Sequence, residues 1–165
     1  MQRIAKFHKV SLEQFNSKYN TSISDVVLKN IKLPQRATRG SAGYDFFAPF
    51  DIVLNPGQSI EVPTGIKVEI SQGWYLAVFP LRGLGFKYRL QLDNTTGIID
   101  GDYINSANEG HIILKITNDT RTNETVKIST GTAFAQGVFM EYGITINDDV
   151  FATREGELDG KELTV

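Results

Sequence analysis

Asp100 lies six residues after Asn94 and three before Tyr103, in the run Leu92-Asp93-Asn94-Thr95-Thr96-Gly97-Ile98-Ile99-Asp100-Gly101-Asp102-Tyr103. A carboxylate beside a phosphorus atom can take a proton from water and direct the resulting hydroxide in line. A hairpin around it would expose backbone amides and carbonyls able to copy a Watson-Crick partner for a pyrimidine edge. Gly97 would allow close main-chain approach where a side chain would collide. The same run also reads as an ordinary Asp-Gly hairpin with a cross-strand tyrosine.

Three other stretches carry polar groups in glycine-rich settings: Arg36 to Phe46 with Asp45, Pro80 to Lys87 with Arg82 and Gly83, and Gly131 to Gln136. On residue type alone, Asp45 is equally a turn cap at a strand entry. Arg82 is equally a surface arginine beside a bend, and Gln136 equally the solvent side of a strand. Composition removes several other chemistries. Cysteine is absent, so disulfides, thiolate catalysis and structural zinc are excluded, and the two histidines, His8 and His111, stand far apart. Magnesium held by carboxylates or phosphates stays open. A net charge of −2 from 17 basic and 19 acidic residues gives no polynucleotide-binding face. No stretch approaches the roughly 20 apolar residues of a membrane span, and the start lacks a secretion signal, so no membrane and a cytoplasmic location are expected.

The elements that must position these residues are mostly short. Ser11 followed by Gln14 is a capping-box pattern that predicts a helix over Ser11 to Tyr19. From there on, β-rich runs alternate with turn residues, predicting strands at Val26 to Leu33, Ile60 to Val62, Ile66 to Ile70, Trp74 to Phe79, Ile112 to Ile116, Val126 to Ile128 and Ala133 to Glu141. Strands without interleaved helices imply an all-β sandwich, barrel or jelly roll. The expected organisation is one domain over 1–165, with an N-terminal helical extension (1–25) and a mobile C-terminal tail (152–165).

Between Leu33 and Tyr142 the motifs resemble those of the trimeric dUTPase family: Arg36-Ala-Thr-Arg-Gly-Ser-Ala-Gly-Tyr-Asp45-Phe46 its first, Asn94 to Tyr103 its third, and Gly131-Thr-Ala-Phe-Ala-Gln136 its fourth. The resemblance implies a jelly-roll or distorted β-barrel fold, a homotrimer, and hydrolysis of dUTP to dUMP and pyrophosphate with Mg2+. It makes Asp100 the general base and Asp45 a metal residue acting through water. Tyr103 stacks under the sugar and excludes a 2′-hydroxyl, Asn94, Gly97 and Ile99 belong to the substrate-binding set, and Gln136 assists the phosphates. Two motifs depart from the pattern. In the second, Pro80-Leu81-Arg82-Gly83 puts Leu81 at the family's arginine and Arg82 at its serine, so Arg82 and Gly83 become the candidate phosphate contacts. In the fifth, Leu158 replaces the aromatic, Glu157 and Asp159 add negative charge, and only Arg154 and Gly156 echo the family arm. Both changes concern the phosphate grip, so reduced activity is expected. The alternative is a dUTPase-like nucleotide-binding or regulatory protein without efficient hydrolysis.

Overall fold

The computed structural model describes residues 2–152 and Arg154. Eleven strands occur among them: β1 (Ala5–Lys9), β2 (Tyr44–Phe47), β3 (Ile52–Leu54), β4 (Ser59–Pro63), β5 (Ile66–Ile70), β6 (Trp74–Pro80), β7 (Leu90–Leu92), β8 (Gly97–Ile99), β9 (Ile113–Asn118), β10 (Val126–Ile128) and β11 (Ala133–Glu141). They pair antiparallel in a four-stranded sheet ordered β2-β11-β6-β8, a three-stranded sheet ordered β4-β9-β7, and two ribbons, β1-β5 and β3-β10. This is the all-β arrangement that the strand spacing implied, of the jelly-roll type that the family resemblance implied.

Alternation builds the core. In β3 and β10 the outer two residues are buried and the central one is exposed, and in β9 Leu114, Ile116 and Asn118 turn inward. Phe46, Ile52, Val62, Leu76, Ile116 and Phe134, from six different strands, meet in one apolar cluster and are almost wholly excluded from solvent. Burial of such side chains is worth about 1.5–3 kcal/mol each before entropy is counted.

Three α-helices accompany the sheets among the described residues: α1 (Leu12–Lys18), α2 (Ser24–Asn30) and α3 (Arg82–Tyr88). The first lies where the capping box put it, with the Gln14 amide donating to Ser11 Oγ at 3.1 Å. The second overturns the strand expected over Val26 to Leu33. Ser24, Leu28 and Ile31 recur at helical spacing and are buried, while Asp25 and Lys29 pair one turn apart at 3.6 Å. Packing decides against the β-branched pair Val26-Val27. Gly65, with φ +71°, has no room for a Cβ, which would come within 2.7 Å of Ile31 Cδ1 and 3.1 Å of Leu28 Cδ1. No helix among the described residues is long and apolar enough to cross a membrane.

Candidate functional site

The run from Leu92 to Tyr103 is not a laddered hairpin. β7 pairs with β9, whereas β8 pairs with β6, so the turn over Asp93–Thr96 carries the chain from one sheet to another. The Thr95 amide donates to Leu92 O at 2.9 Å, and Thr95 adopts φ 63°, a left-handed conformation that tightens the turn. Asn94 is exposed at its tip. Gly97 is buried, and a Cβ there would lie 3.3 Å from Val78 Cβ, so close packing of β8 on β6 by itself favours a glycine. Ile99 sends its side chain into the core and leaves only its main chain for any ligand.

Asp100 follows β8 with its side chain half in solvent. The Tyr103 amide donates to Asp100 O at 3.1 Å, turning the chain into a single 3-10 turn, Tyr103–Asn105. Arg154 completes this group. Its Nη2 lies 3.1 Å from Asp100 Oδ2, its Nε 3.4 Å from Asp102 Oδ1, and its guanidinium stands over the Tyr103 ring, 5.5 Å from the centroid. From the sequence Arg154 was only a faint echo of a phosphate-binding arm; the structure puts its charge against the candidate base. The other expectations for the tail, on Gly156, Glu157, Leu158 and Asp159, fall outside the described residues.

Behind Tyr103 stands a set of polar groups that the motif spacing did not reveal. Asn108 Nδ2 donates to the Tyr103 hydroxyl at 2.9 Å, and that hydroxyl is 3.4 Å from His111 O. His111 is fully buried, and its Nε2 accepts the Gly65 amide at 2.9 Å. Nδ1 is then the protonated nitrogen of a neutral ring, and the Gln14 carboxamide, 3.4 Å away, accepts from it when its oxygen is turned toward the ring. Burial lowers the imidazole from 6.5 to about 4, with Glu109 opposing and Lys18 adding to the shift. Burial pushes the Glu109 carboxyl up, but hydrogen bonds from Lys67 and from the Ser11 hydroxyl and amide outweigh it and bring the group down to about 2.

The remaining candidates gather elsewhere. Gln136 on β11 pairs across to Asp45 on β2 and to Phe79 on β6, and the Leu81 amide donates to Phe134 O at 3.1 Å. Asp45, Gln136 and the start of α3 therefore share one end of the four-stranded sheet. Gly43 lies against the same group: a Cβ on it would come within 2.7 Å of Gln136 Oε1, the mobile end of that side chain. Arg82 is exposed and lies over the Phe86 ring, 5.5 Å from its centroid, on α3 where the sequence suggested only a bend. Beside it, a Cβ at Gly83 would meet nothing within 4 Å.

Asp45 and Asp100 are not brought together within one chain. The register aligns Ile99 with Leu76 and Leu76 with Phe139, three residues along β11 from Gln136 and its partner Asp45. Three strand spacings across and about four residues along separate the carboxylates by roughly 20 Å. One copy thus presents the Asn94–Tyr103 group at the β8 edge and the Asp45–Gln136 group at the β2–β11 end.

Comparison with known proteins gives a consistent result. The dUTPase family model matches residues 29–158. The deoxyuridine 5′-triphosphate nucleotidohydrolase of Lactococcus lactis is 37% identical over 120 residues, covering 72% of this chain and 79% of its own length. The crystal structure of dUTPase from Streptococcus mutans superposes with a TM-score of 0.64 at 33% identity, over 84% of this chain and 97% of that one. The dUTPase of Staphylococcus aureus phage phi11, described with a coordinated structural Mg(II) ion, shares the fold at 20% identity with a TM-score of 0.65, over 91% of this chain and 98% of that one.

Proposed function

The chain belongs to the dUTPase family, and from that premise we propose that it hydrolyses dUTP to dUMP and pyrophosphate, with Asp100 as the general base. The observation that carries the assignment of roles is the unbroken run from Asn94 to Tyr103, folded so that Asp100 projects into solvent beside the Tyr103 ring. The turn at Asn94 and the main chain of Gly97 and Ile99 read the uracil edge. Tyr103 lies under the deoxyribose and leaves no space for a 2′-hydroxyl. Asp100 accepts the proton of the attacking water, which aligns it for in-line attack. Gln136, Arg82 and Gly83 line the phosphate end.

A single carboxylate, Asp45, faces the side-chain amide position of Gln136 across the β2–β11 ladder, and no cluster of three or more metal-binding side chains occurs among the described residues. That donor set suits Mg2+, which keeps several waters and takes its other ligands from substrate phosphates. Asp45 would orient one of those waters. Neutralising phosphate charge is the chemistry such an ion supplies.

The separation of roughly 20 Å between Asp45 and Asp100 supports a homotrimer in which the β8 edge of one copy meets the β2–β11 end of the next. A cytoplasmic location fits a chain without cysteine. Leu81 and Arg82, where the family's arginine and serine stand, favour a second reading, a nucleotide-binding or regulatory dUTPase with slow hydrolysis. Pyrophosphate release from dUTP with Mg2+ separates the two. Turnover abolished by chelation supports the enzyme, and dUMP binding without turnover supports the second reading.

A further inference from the structure

Tyr103 is held from its far end by a segment outside every motif discussed above. Asn108 Nδ2 donates to its hydroxyl at 2.9 Å, and Asn108 Oδ1 accepts the Gly110 amide at 3.0 Å, so the carboxamide bridges the ring and the returning main chain. That main chain has little freedom. Gly110 has φ +72°, and a Cβ on it would lie 2.6 Å from Ile104 Cα and 2.9 Å from Tyr103 O. Glu109, a non-glycine residue, adopts φ 59°. Its carboxylate accepts the Lys67 ammonium at 2.8 Å and the Ser11 amide at 3.1 Å, and it also accepts the Ser11 hydroxyl. Ser11 is the cap of α1, so the start of the N-terminal helix is tied through Glu109 to the residue beside Asn108.

We propose that Asn108 and Glu109 are positioning residues for sugar recognition, Asn108 fixing the position of the Tyr103 ring through its hydroxyl and Glu109 anchoring Asn108 to helix α1 and β5. The proposal rests on the reading of Tyr103 as the deoxyribose platform. Steric exclusion of a 2′-hydroxyl requires a platform that cannot retreat. A tyrosine anchored only at its Cβ can swing about χ1, and a second anchor at the hydroxyl, at the far end of the ring's long axis, removes that motion. Glu109 supplies the rest: a left-handed non-glycine backbone persists only where surrounding contacts over-determine it, and the Lys67 and Ser11 bonds do so here. Neither residue needs to touch the nucleotide. Their effect is on discrimination between deoxyribo- and ribonucleotide rather than on the proton transfer at Asp100.

The test is the ratio of dUMP to UMP affinity, measured by calorimetry on the full chain with a thermal melt of each variant. Asn108→Ala, Tyr103→Phe and Glu109→Ala each lower the ratio by about fivefold, the scale of one lost hydrogen bond. Because Asn108 acts through the hydroxyl, Asn108→Ala combined with Tyr103→Phe lowers it no further than either alone. A merely structural role would lower the melting temperature and leave the ratio fixed. Should Asn108→Ala fail to fold, Tyr103→Phe reads the same contact from the other side. An unchanged ratio in Tyr103→Phe or Glu109→Ala, or additive losses in the double variant, would overturn the proposal. Tyr103→Ala separates the two levels of the argument. If it leaves the ratio intact, the sugar-platform reading itself fails and the proposal falls with it; if it collapses the ratio while Asn108→Ala does not, only the positioning role fails.

Discussion

Acidification from pH 7 to pH 5 should destabilise this protein through one residue, His111. Its Nε2 accepts the Gly65 amide at 2.9 Å inside the core, so protonation would set an N–H against an N–H with no solvent to relieve it. Burial accordingly holds the imidazole at about 4 in the fold, against an ordinary 6.5. With the folded pKa depressed, the unfolded chain takes up the proton first, and stability is lost as pH falls from 6.5 toward 4. For that shift the linkage relation gives a loss of almost nothing at pH 7 and about 2 kcal/mol at pH 5. Glu109 does not confuse the comparison, since its pKa of about 2 against 4.5 makes its contribution present above 4.5 and lost below it. Urea unfolding at pH 7 and pH 5, at one fixed protein concentration, measures the difference. His111→Gln, whose amide oxygen can accept the Gly65 N–H without titrating, should lose less than about 0.5 kcal/mol over the same interval. Equal losses in the two proteins would refute the assignment, as would a wild type indifferent to this pH change.

Asp100→Asn should lower pyrophosphate release at least about a hundredfold while leaving dUMP affinity nearly unchanged, because the amide keeps the shape but cannot take the water's proton; unchanged turnover would return Asp100 to a turn residue. The altered phosphate grip predicts that a non-hydrolysable dUTP analogue with Mg2+ binds no more than about tenfold tighter than dUMP, roughly 1.4 kcal/mol. Leu81→Arg, Arg82→Ser and Gly83→Ser together should widen that gap and raise turnover, with no clash at 83 where the space is open; a thousandfold preference in the wild type would show that the grip is already rebuilt. If the site is shared between copies, inactive Asp45→Asn and Asp100→Asn chains, unfolded, mixed equally and refolded, should regain about a quarter of wild-type sites; no recovery in mixed oligomers would place the whole site in one chain.

The sequence marked some elements of the fold more clearly than others. Ser11 and Gln14 marked α1 correctly because a capping box is local chemistry, complete within four residues. Strands β3, β7, β8 and β10 have three residues each, and only β10 was located, since so short a segment offers no period to read. The helix over Ser24–Asn30 was hidden for the opposite reason. Its local preference points to a strand, and what overrides it is Gly65, more than thirty residues away, which leaves a hollow that Leu28 and Ile31 fill. Asn108 and Glu109 were missed, and Arg154 was noted only as an echo of the phosphate arm, because nothing in their types or neighbours gives the contacts they make. Their meaning comes from the Tyr103 hydroxyl, the Ser11 cap and the Asp100 carboxylate, all contacts made by folding.

Gly97 shows how one residue can satisfy the fold and the site together. Its missing side chain lets β8 lie close on β6, where a Cβ would press on Val78 at 3.3 Å. The same close pairing fixes the level at which Asp100 leaves the sheet, one residue beyond the Ile99–Leu76 pair. Gly43 does this at the other end of the same sheet, where its bare backbone makes room for Gln136 beside Asp45. Two glycines, each explicable by packing alone, thus stand close to the two candidate carboxylates on one sheet. Alanine at 97 would ask Val78 to give by a few tenths of an ångström beside the strand that leads to Asp100, and alanine at 43 would turn the Gln136 side chain aside, even though neither glycine has a side chain to offer a substrate. A glycine in such a motif is therefore evidence about the sheet first, and its bearing on the ligand follows from what that sheet holds in place.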